Sequence, residues 1–480
     1  MGRVLSRHSK LRGELRADLV HDVRVALRRC TLIAEVMKQL DPGGDWKTLR
    51  RTGRELFKQL GELRDTQALL EWLERLALPG DESVPLLAEF LKTKYERDQS
   101  AAEKSVRDFD RKKWRESEKE LNGHYRHVLA DRRACESLVY RMWESVRDLH
   151  RSAQKSRSRI GYHRLRIGIK KFRYGVENFL PSLYAGWVAE LKSLQDLLGE
   201  VHDLDVLAQV VVKDKRLSPE VHAAWLLRIE VERSSRLRRY HEKMSGQNSP
   251  LLTWREALPA ERELRSTGLA ELGEWAYFIS PDLPRVRRVA RLAVQLYDGL
   301  SNCKLISHDL NTDQRFVLRA AALLEEVGRF KKNKAHHKES YRMIRRFHPP
   351  PGWSKRDMEL TALVARFHRR GLPRPDHKAL KSFEPAVQQS VVLLAAILRL
   401  ANAFHAKSYR AVRRLEVENS SGIILVRAWG LPDSDPLTAK LAEARRLLEF
   451  AAHHPIRVLA PSARIASPQL MKPVQRSDAA

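Results

Sequence analysis

The sequence predicts a mainly α-helical protein, with two helical parts joined by a linker and one small β-hairpin late in the chain. Three observations point there. From residue 12 to residue 243, apolar positions recur three and four apart with few Gly or Pro between them, the period of amphipathic helices. The same period returns from about residue 261 to residue 406. Between the two, Ser245-Gly-Gln-Asn-Ser-Pro250 has the composition of a linker. A chain of 480 residues with 43% hydrophobic content has room for two or three cores.

Taken in order, breaks at Asp41-Pro-Gly-Gly, Pro79-Gly-Asp, Pro181 and Ser218-Pro219 cut the first part, 5–243, into long helices. Residues 244–260 read as the linker and 261–458 as a second domain. Inside that domain, the runs 412–418 and 423–429 flank Asn-Ser-Ser-Gly and read as a hairpin. One more helix is expected from about 436 to 452. The segment 459–480, with Pro468 and Pro473 among polar residues, is expected to be a disordered tail.

Charge narrows the partner. With 89 Lys and Arg against 60 Asp and Glu, the net charge is +29, which calls for an anion: nucleic acid, polyphosphate or an acidic membrane surface. Charge alone does not choose among them. The cysteines Cys30, Cys135 and Cys303 show no CxxC spacing, so neither a disulfide framework nor a zinc site is expected. The first residues lack the apolar core of a signal peptide, and the longest apolar run, 391–398, stops at Arg399, too short for a bilayer. A cytoplasmic location and no membrane partner are expected.

The first part contains a repeat. His21-x-x-Arg24-x-x-x-Arg28-Arg29 returns as His163-x-x-Arg166-x-x-x-Lys170-Lys171, and Leu60-Gly-Glu-Leu-Arg-Asp65 returns as Leu198-Gly-Glu-Val-His-Asp203. The order is the same and the offsets, 142 and 138 residues, are nearly equal, so one helical unit is duplicated, over about 12–110 and 135–243. On a helix, His163, Arg166, Lys170 and Arg173 fall in one stripe, opposite Leu165, Ile169, Phe172 and Val176. In the first copy His21, Arg24 and Arg28 oppose Val23, Leu27, Cys30 and Ala34. Lys192, Gln195, Gly199 and His202 share a face, matched by Arg54, Phe57, Gly61 and Arg64. Residues 155–174 hold eight Lys or Arg and no acid. A solvated face normally mixes signs, because opposite charges four apart support the helix. An unmixed stripe repeated in both copies points to a counter-anion. Phe172 and Tyr174 lie outside the stripe, whereas single-stranded nucleic-acid sites interleave aromatics for base stacking. A bare polyanion is therefore favoured over nucleic acid, which stays as an alternative partner.

The blocks His163-Arg-Leu-Arg-Ile-Gly-Ile-Lys-Lys-Phe-Arg-Tyr174 and Leu191-Lys-Ser-Leu-Gln-Asp-Leu-Leu-Gly-Glu-Val-His-Asp203, with their first-copy partners, resemble a CHAD domain, the "conserved histidine α-helical domain". The resemblance covers about residues 5–243. It implies two four-helix bundles related by a pseudo-twofold axis around a basic central cavity. It also implies binding of inorganic polyphosphate, and with it association with polyphosphate granules. On that resemblance the phosphate contacts are His21, Arg24, Arg28, Arg29, Arg54, Arg64, His163, Arg166, Lys170, Lys171, Arg173, Lys192 and His202.

In the second part, Ala321-Ala-Leu-Leu-Glu-Glu-Val-Gly328, His336-His-Lys-Glu-Ser-Tyr-Arg-Met-Ile344, Ala365-Arg-Phe-His-Arg-Arg-Gly-Leu-Pro373 and Ala396-Ile-Leu-Arg-Leu-Ala-Asn402 resemble the helical HD-type domain of exopolyphosphatase/guanosine-pentaphosphate phosphatase proteins. The resemblance implies a metal site held by His and Asp. Here its four positions carry Arg285, Glu325, Glu326 and Asn402, and a cation among the ligands would repel a metal. No catalytic residue, metal or cofactor is therefore expected. The family's actin-like phosphatase domain is not read in this sequence, so its activity is not expected. His336, His337, Lys338, Arg366, His368, Arg369 and Arg370 form a candidate second anion-binding surface. The enzyme-class alternative is a metal-dependent phosphohydrolase acting on polyphosphate or phosphorylated nucleotides.

Overall fold

The computed structural model describes residues 2–11, 13, 15–306, 313–331, 334–369, 373–405, 412–431 and 439–461. The expected tail lies almost wholly outside them. The fold is mainly α with a small late sheet, and the chain divides into two compact units: 1–279 with 349–354, and 280–348 with the remainder.

The first unit contains α1 (Arg3–Leu11), α2 (Ala17–Leu40), α3 (Trp46–Leu76), α4 (Ser83–Asp108), α5 (Arg111–Ala130), α6 (Arg132–Ser156), α7 (Arg159–Phe179), α8 (Pro181–Lys213), α9 (Pro219–Met244), α10 (Pro250–Glu256) and α11 (Glu261–Ile279). Local chemistry sets the breaks. Asp45, Ser158 and Ser218 accept from the Thr48, Gly161 and Val221 amides and so cap α3, α7 and α9, while Pro181 opens α8 where its missing N–H costs nothing. Asp110 and Asp131 cap α5 and α6 in the same way.

The duplication is visible in the packing order. α1 lies on α2, α2 on α3 and α3 on α4; α6 lies on α7, α7 on α8 and α8 on α9. The copies meet through the helices that carry the repeated blocks, α2 facing α7 and α3 facing α8. One buried cluster runs through both copies, with Leu69, Trp72 and Leu73 against Leu204, Leu207 and Val211, closed by Leu87, Leu91 and Trp225. The Trp225 indole N–H donates to Ser83 Oγ at 2.8 Å, so the ring is satisfied as well as buried.

The structure corrects the boundary read at 244–260. Gly246, at φ 83°, does turn the chain, but the segment then docks. Trp254 of α10 is fully buried, its ring centroid 5.0 Å from that of Phe172 and 6.1 Å from that of Trp187. Trp143 donates to the Leu251 carbonyl at 3.1 Å. α11 belongs here too: its fully buried Glu271 accepts from Ser137 Oγ at 2.7 Å and is paired with Arg141. Burial of one large ring and one paired charge outweighs the polar composition that suggested a linker.

The second unit contains α12 (Leu283–Asn302), α13 (Gln314–Leu324), a 3₁₀ turn (Val327–Phe330), α14 (His336–Arg346), α15 (Lys355–Arg366), α16 (Pro385–Ala403), β1 (Arg414–Ser420), β2 (Ile423–Trp429), α17 (Ala439–Ala452) and β3 (Ile456–Leu459). The hairpin forms as expected. Ser420 pairs with Ile423 around Ser421 and Gly422, whose φ values of 51° and 85° match the two-residue turn that suits strand twist. The sheet has a third strand that sequence reasoning missed, β3, parallel to β2. α16 is long and apolar enough to cross a membrane, but it is mostly buried in this unit's core.

The docking of α10 and α11 has a direct test. Trp254→Ala should destabilise the protein by about 3–5 kcal/mol, the usual range for emptying a buried Trp site. A chain ending at Met244 should melt well below one ending at Ile279 in a circular-dichroism scan. Equal melting of the two would restore the linker reading.

Candidate functional site

Where α2 and α3 face α7 and α8, the stripe residues of both copies converge. Arg24 reaches across to α3, donating to the Leu60 and Gly61 carbonyls at 2.8 Å each, with its other nitrogen 4.0 Å from Asp65. Gly61 lies against this guanidinium, where an added Cβ would sit 3.6 Å away in ordinary contact. One turn on, Arg28 lies over Phe57, 5.4 Å from the ring centroid, and 6.0 Å from that of Tyr174. On the other copy, Arg166 and Lys170 point into the same space, and His163 meets His202 at 3.2 Å between their Nδ1 atoms. Tyr174 is 2% exposed, so it floors the cluster and offers no free face for a base.

The electrostatics of this cluster are unbalanced. Burial, with Arg166, Arg28 and Arg24 nearby, pushes the Lys170 ammonium down to about 6. Burial also lowers Arg24 to about 10, with Arg28, Arg166 and Arg64 adding to it against Asp65. Burial and then Arg166 bring His202 to about 4. His21 and His163 are lowered by the same two causes, burial and neighbouring cations. Among the described residues no ion pair involves Arg28, Arg166 or Lys170, and the buried Arg166 Nε has no hydrogen-bond partner. Cations held together, half-dry and outnumbering the carboxylates near them, are what a multivalent anion would relieve.

Two acids in this space were not picked out from sequence. Burial raises Asp203 to about 6, with Asp65 adding to it and Arg166 opposing. Both close the repeated block, Leu-Arg-Asp65 and Val-His-Asp203, so the signal was the repeat itself; their charge argued against choosing them.

Some expected contacts lie elsewhere. Arg29 is paired with Glu177 through both its Nε and a terminal nitrogen, and Lys171 with Glu35 at 2.9 Å. Each sits one residue past its stripe and turns to the seam between α2 and α7, where a carboxylate of the other copy meets it. Arg64 is held by Glu71 at 2.9 Å but still faces His21 and Asp203. Arg173 donates to Gln195 at 2.9 Å and, with Lys192, lies beside Asp196 on the rim. Arg54 is exposed on α3, before the converging segment.

In the second unit, the four positions aligned with HD metal ligands come together. Arg285 reaches Glu325 at 3.2 Å, Glu326 at 2.7 Å and the Asn402 side-chain oxygen, while Asn402 Nδ2 donates to Glu325 at 2.7 Å. Full burial raises Glu325 to about 7, against Arg285 and Asn402. A guanidinium fixed between the carboxylates does not fit a divalent cation in the same space. Among the described residues no three or more His, Cys, Asp or Glu side chains are grouped to hold a metal.

The second anion surface read from sequence is not one surface. His336, His337 and His368 are buried, and the rings of His336 and His368 pack 5.5 Å apart. Arg366 lies over Tyr341 at 5.1 Å, Lys338 and Arg369 are exposed, and Arg370 lies outside the described residues. The helix periods that group these residues by sequence put the imidazoles inside.

Comparison with known families gives two matches. Residues 3–212 match the model of the CHAD domain, and residues 276–431 match that of the Ppx/GppA phosphatase, domain III. Both relate the chain to polyphosphate. No curated protein matches it.

The Lys170 environment sets a pH dependence. A bound polyanion favours the charged ammonium, so its value rises on binding and, above about 6, binding takes up a proton. Asp203 loses its negative charge as pH falls through about 6, which acts in the same direction. Affinity for a polyanion should therefore rise as pH falls from about 8 through about 6, and protonation of His202, at about 4, extends the rise below that. Calorimetry in buffers of different ionisation heat should show the proton uptake, and Lys170→Met should abolish most of it. An affinity flat across that range would contradict the account.

Proposed function

We propose, on the premise that this chain carries a CHAD domain followed by a Ppx/GppA-type domain III, that it binds inorganic polyphosphate between its duplicated basic helices without hydrolysing it. The observation that carries this is the cluster of Arg28, Arg166 and Lys170, half-buried, facing one another and, among the described residues, in no ion pair. Polyphosphate has about one charge per phosphorus and no bases, so forked Arg donors and a Lys point charge suffice to hold it. Tyr174 is buried beneath the cluster and the half-buried Phe57 ring lies under the Arg24 and Arg28 guanidiniums, which supports a ligand that needs no stacking. The chain's place is then the cytoplasm, where it would associate with polyphosphate or its granules.

The reading without hydrolysis rests on the second unit. Arg285 neutralises Glu325 and Glu326, which leaves no evident way to bind the metal that would activate a water. With Mg²⁺ or Mn²⁺ supplied, the protein should release no orthophosphate from polyphosphate above a blank. Turnover abolished by changing Glu325 or Glu326 would favour the phosphohydrolase instead.

Binding itself is best tested at residues whose removal orphans nothing in the protein. Arg24 is unsuitable, because it also ties α2 to α3. Arg28→Ala in one copy and Lys170→Ala in the other should each weaken long-chain polyphosphate by about tenfold, as loss of a charge-assisted contact does. Lys112→Ala, on the exposed face of α5, should change affinity by less than about twofold at about 150 mM salt, where surface charges are screened. Equal, small losses in all three would leave only general basicity.

A further inference from the structure

Helix α9 of the first unit packs against α8 and buries Trp225, Ile229, Arg233 and Tyr240 along one line. At about 100° per residue, the line opposite Ile229 passes within about 20° of Glu220, Leu227, Val231 and Arg238. All four are exposed, Leu227 at 67% and Val231 at 61%. Ala224 and Ser234, also exposed, flank the aliphatic pair with short side chains. Single aliphatics are ordinary on a protein surface. A Leu and a Val one turn apart, framed by small residues, make a continuous strip.

The order of residues along this strip gives the second observation. Each outward position has a counterpart equally far from Ile229 on the other side: Leu227 and Val231, Ala224 and Ser234, Glu220 and Arg238. Aliphatic matches aliphatic, small matches small, and acid matches base. Two such helices laid antiparallel about a twofold axis at Ile229 therefore set Leu227 on Val231 and Glu220 on Arg238, each contact made twice. The neighbouring charges are already held inside the unit, Arg228 by Asp81, Glu230 by Arg233 and Glu232 by Arg236. Among the described residues Glu220 and Arg238 enter no ion pair. The helix dipole by itself favours an acid in the first turn and a base towards the end, but it asks nothing of the residues between.

From this self-complementary face we infer that α9 pairs with α9 of a second copy of this chain, antiparallel, as a symmetric dimer. Ala224 and Ser234 beside the axis let the two helices approach closely, so that Leu227 and Val231 interlock. The matched stretch, 220–238, is about 28 Å of helix, which makes a small interface beside those of permanent dimers. The dimer is accordingly reversible, with a dissociation constant in about the micromolar range. It uses none of the cations of the polyphosphate cluster and does not depend on that reading.

The test is sedimentation equilibrium of the full chain, freed of polyanions so that none can bridge two copies, from about 1 to about 100 µM at about 150 mM salt. Monomer and dimer should exchange across that range. Leu227→Asp, at an exposed position, should weaken the dimer at least about tenfold while the melting temperature stays put. Arg238→Glu sets Glu against Glu at both ends and should weaken it by about tenfold. Adding Glu220→Arg to that variant re-forms both pairs in reverse and should restore the dimer to within about twofold of the unmodified chain. A chain still monomeric at about 100 µM would overturn the inference and leave the strip to a different partner. A dimer indifferent to Leu227→Asp, or a double variant no tighter than Arg238→Glu alone, would overturn it as well.

Discussion

Repulsion among half-buried cations is the constraint on which the first unit turns. Arg24, Arg28, Arg166 and Lys170 come from two copies of one helical unit and are brought together by the way those copies face. Left alone, such a group would drive the copies apart. The unit answers with contacts placed around the group instead of within it. The shared cluster of Trp72, Leu204 and Trp225 closes one end, and pairs such as Arg29–Glu177 and Lys171–Glu35 clamp the seam. The centre is left short of negative charge, and the cost appears as a lysine that gives up its proton near neutral pH. An anion with many charges converts that cost into binding.

The two acids in the centre refine this picture. Asp65 and Asp203 come from opposite copies, and the Asp65 carboxylate adds to the rise that burial imposes on Asp203. They limit the net charge of the empty site, and Asp203 loses its share of that effect on protonation. The site thus adjusts its charge through the titration of groups it already holds, which ties affinity to proton uptake. In the second unit the same kind of accounting gives the opposite result: Arg285 between Glu325 and Glu326 is a closed, matched network.

Much of this was legible in the sequence, because helix periodicity and duplication are local signals. The stripes at Arg24, Arg28, Arg166 and Lys170 follow from spacing alone, the hairpin from Asn-Ser-Ser-Gly, and the helix breaks from Pro181 and Ser218. What was hidden is tertiary. Arg29 and Lys171 look like stripe residues until the carboxylates of the facing copy are known. Trp254 sits beside a stretch of linker composition, and only its burial against Phe172 shows that the chain docks there. The strand β3 is four residues long, too short to announce itself without the neighbour it pairs with. His336 and His368 read as surface cations because composition says nothing about which way a ring faces.

The central claim is that the first unit holds a built site for a polyanion without bases, and not merely a positive surface. The most direct measurement is a competition titration of the full chain at about 150 mM salt, with long-chain polyphosphate against duplex DNA of equal total charge. General basicity would rank the two alike, because counterion release depends on charge neutralised. The account predicts that polyphosphate displaces DNA with at least about tenfold higher affinity, since a flexible chain can bend to reach the half-buried Arg28, Arg166 and Lys170 and a stiff duplex cannot. Equal affinities, or a preference for DNA, would contradict it.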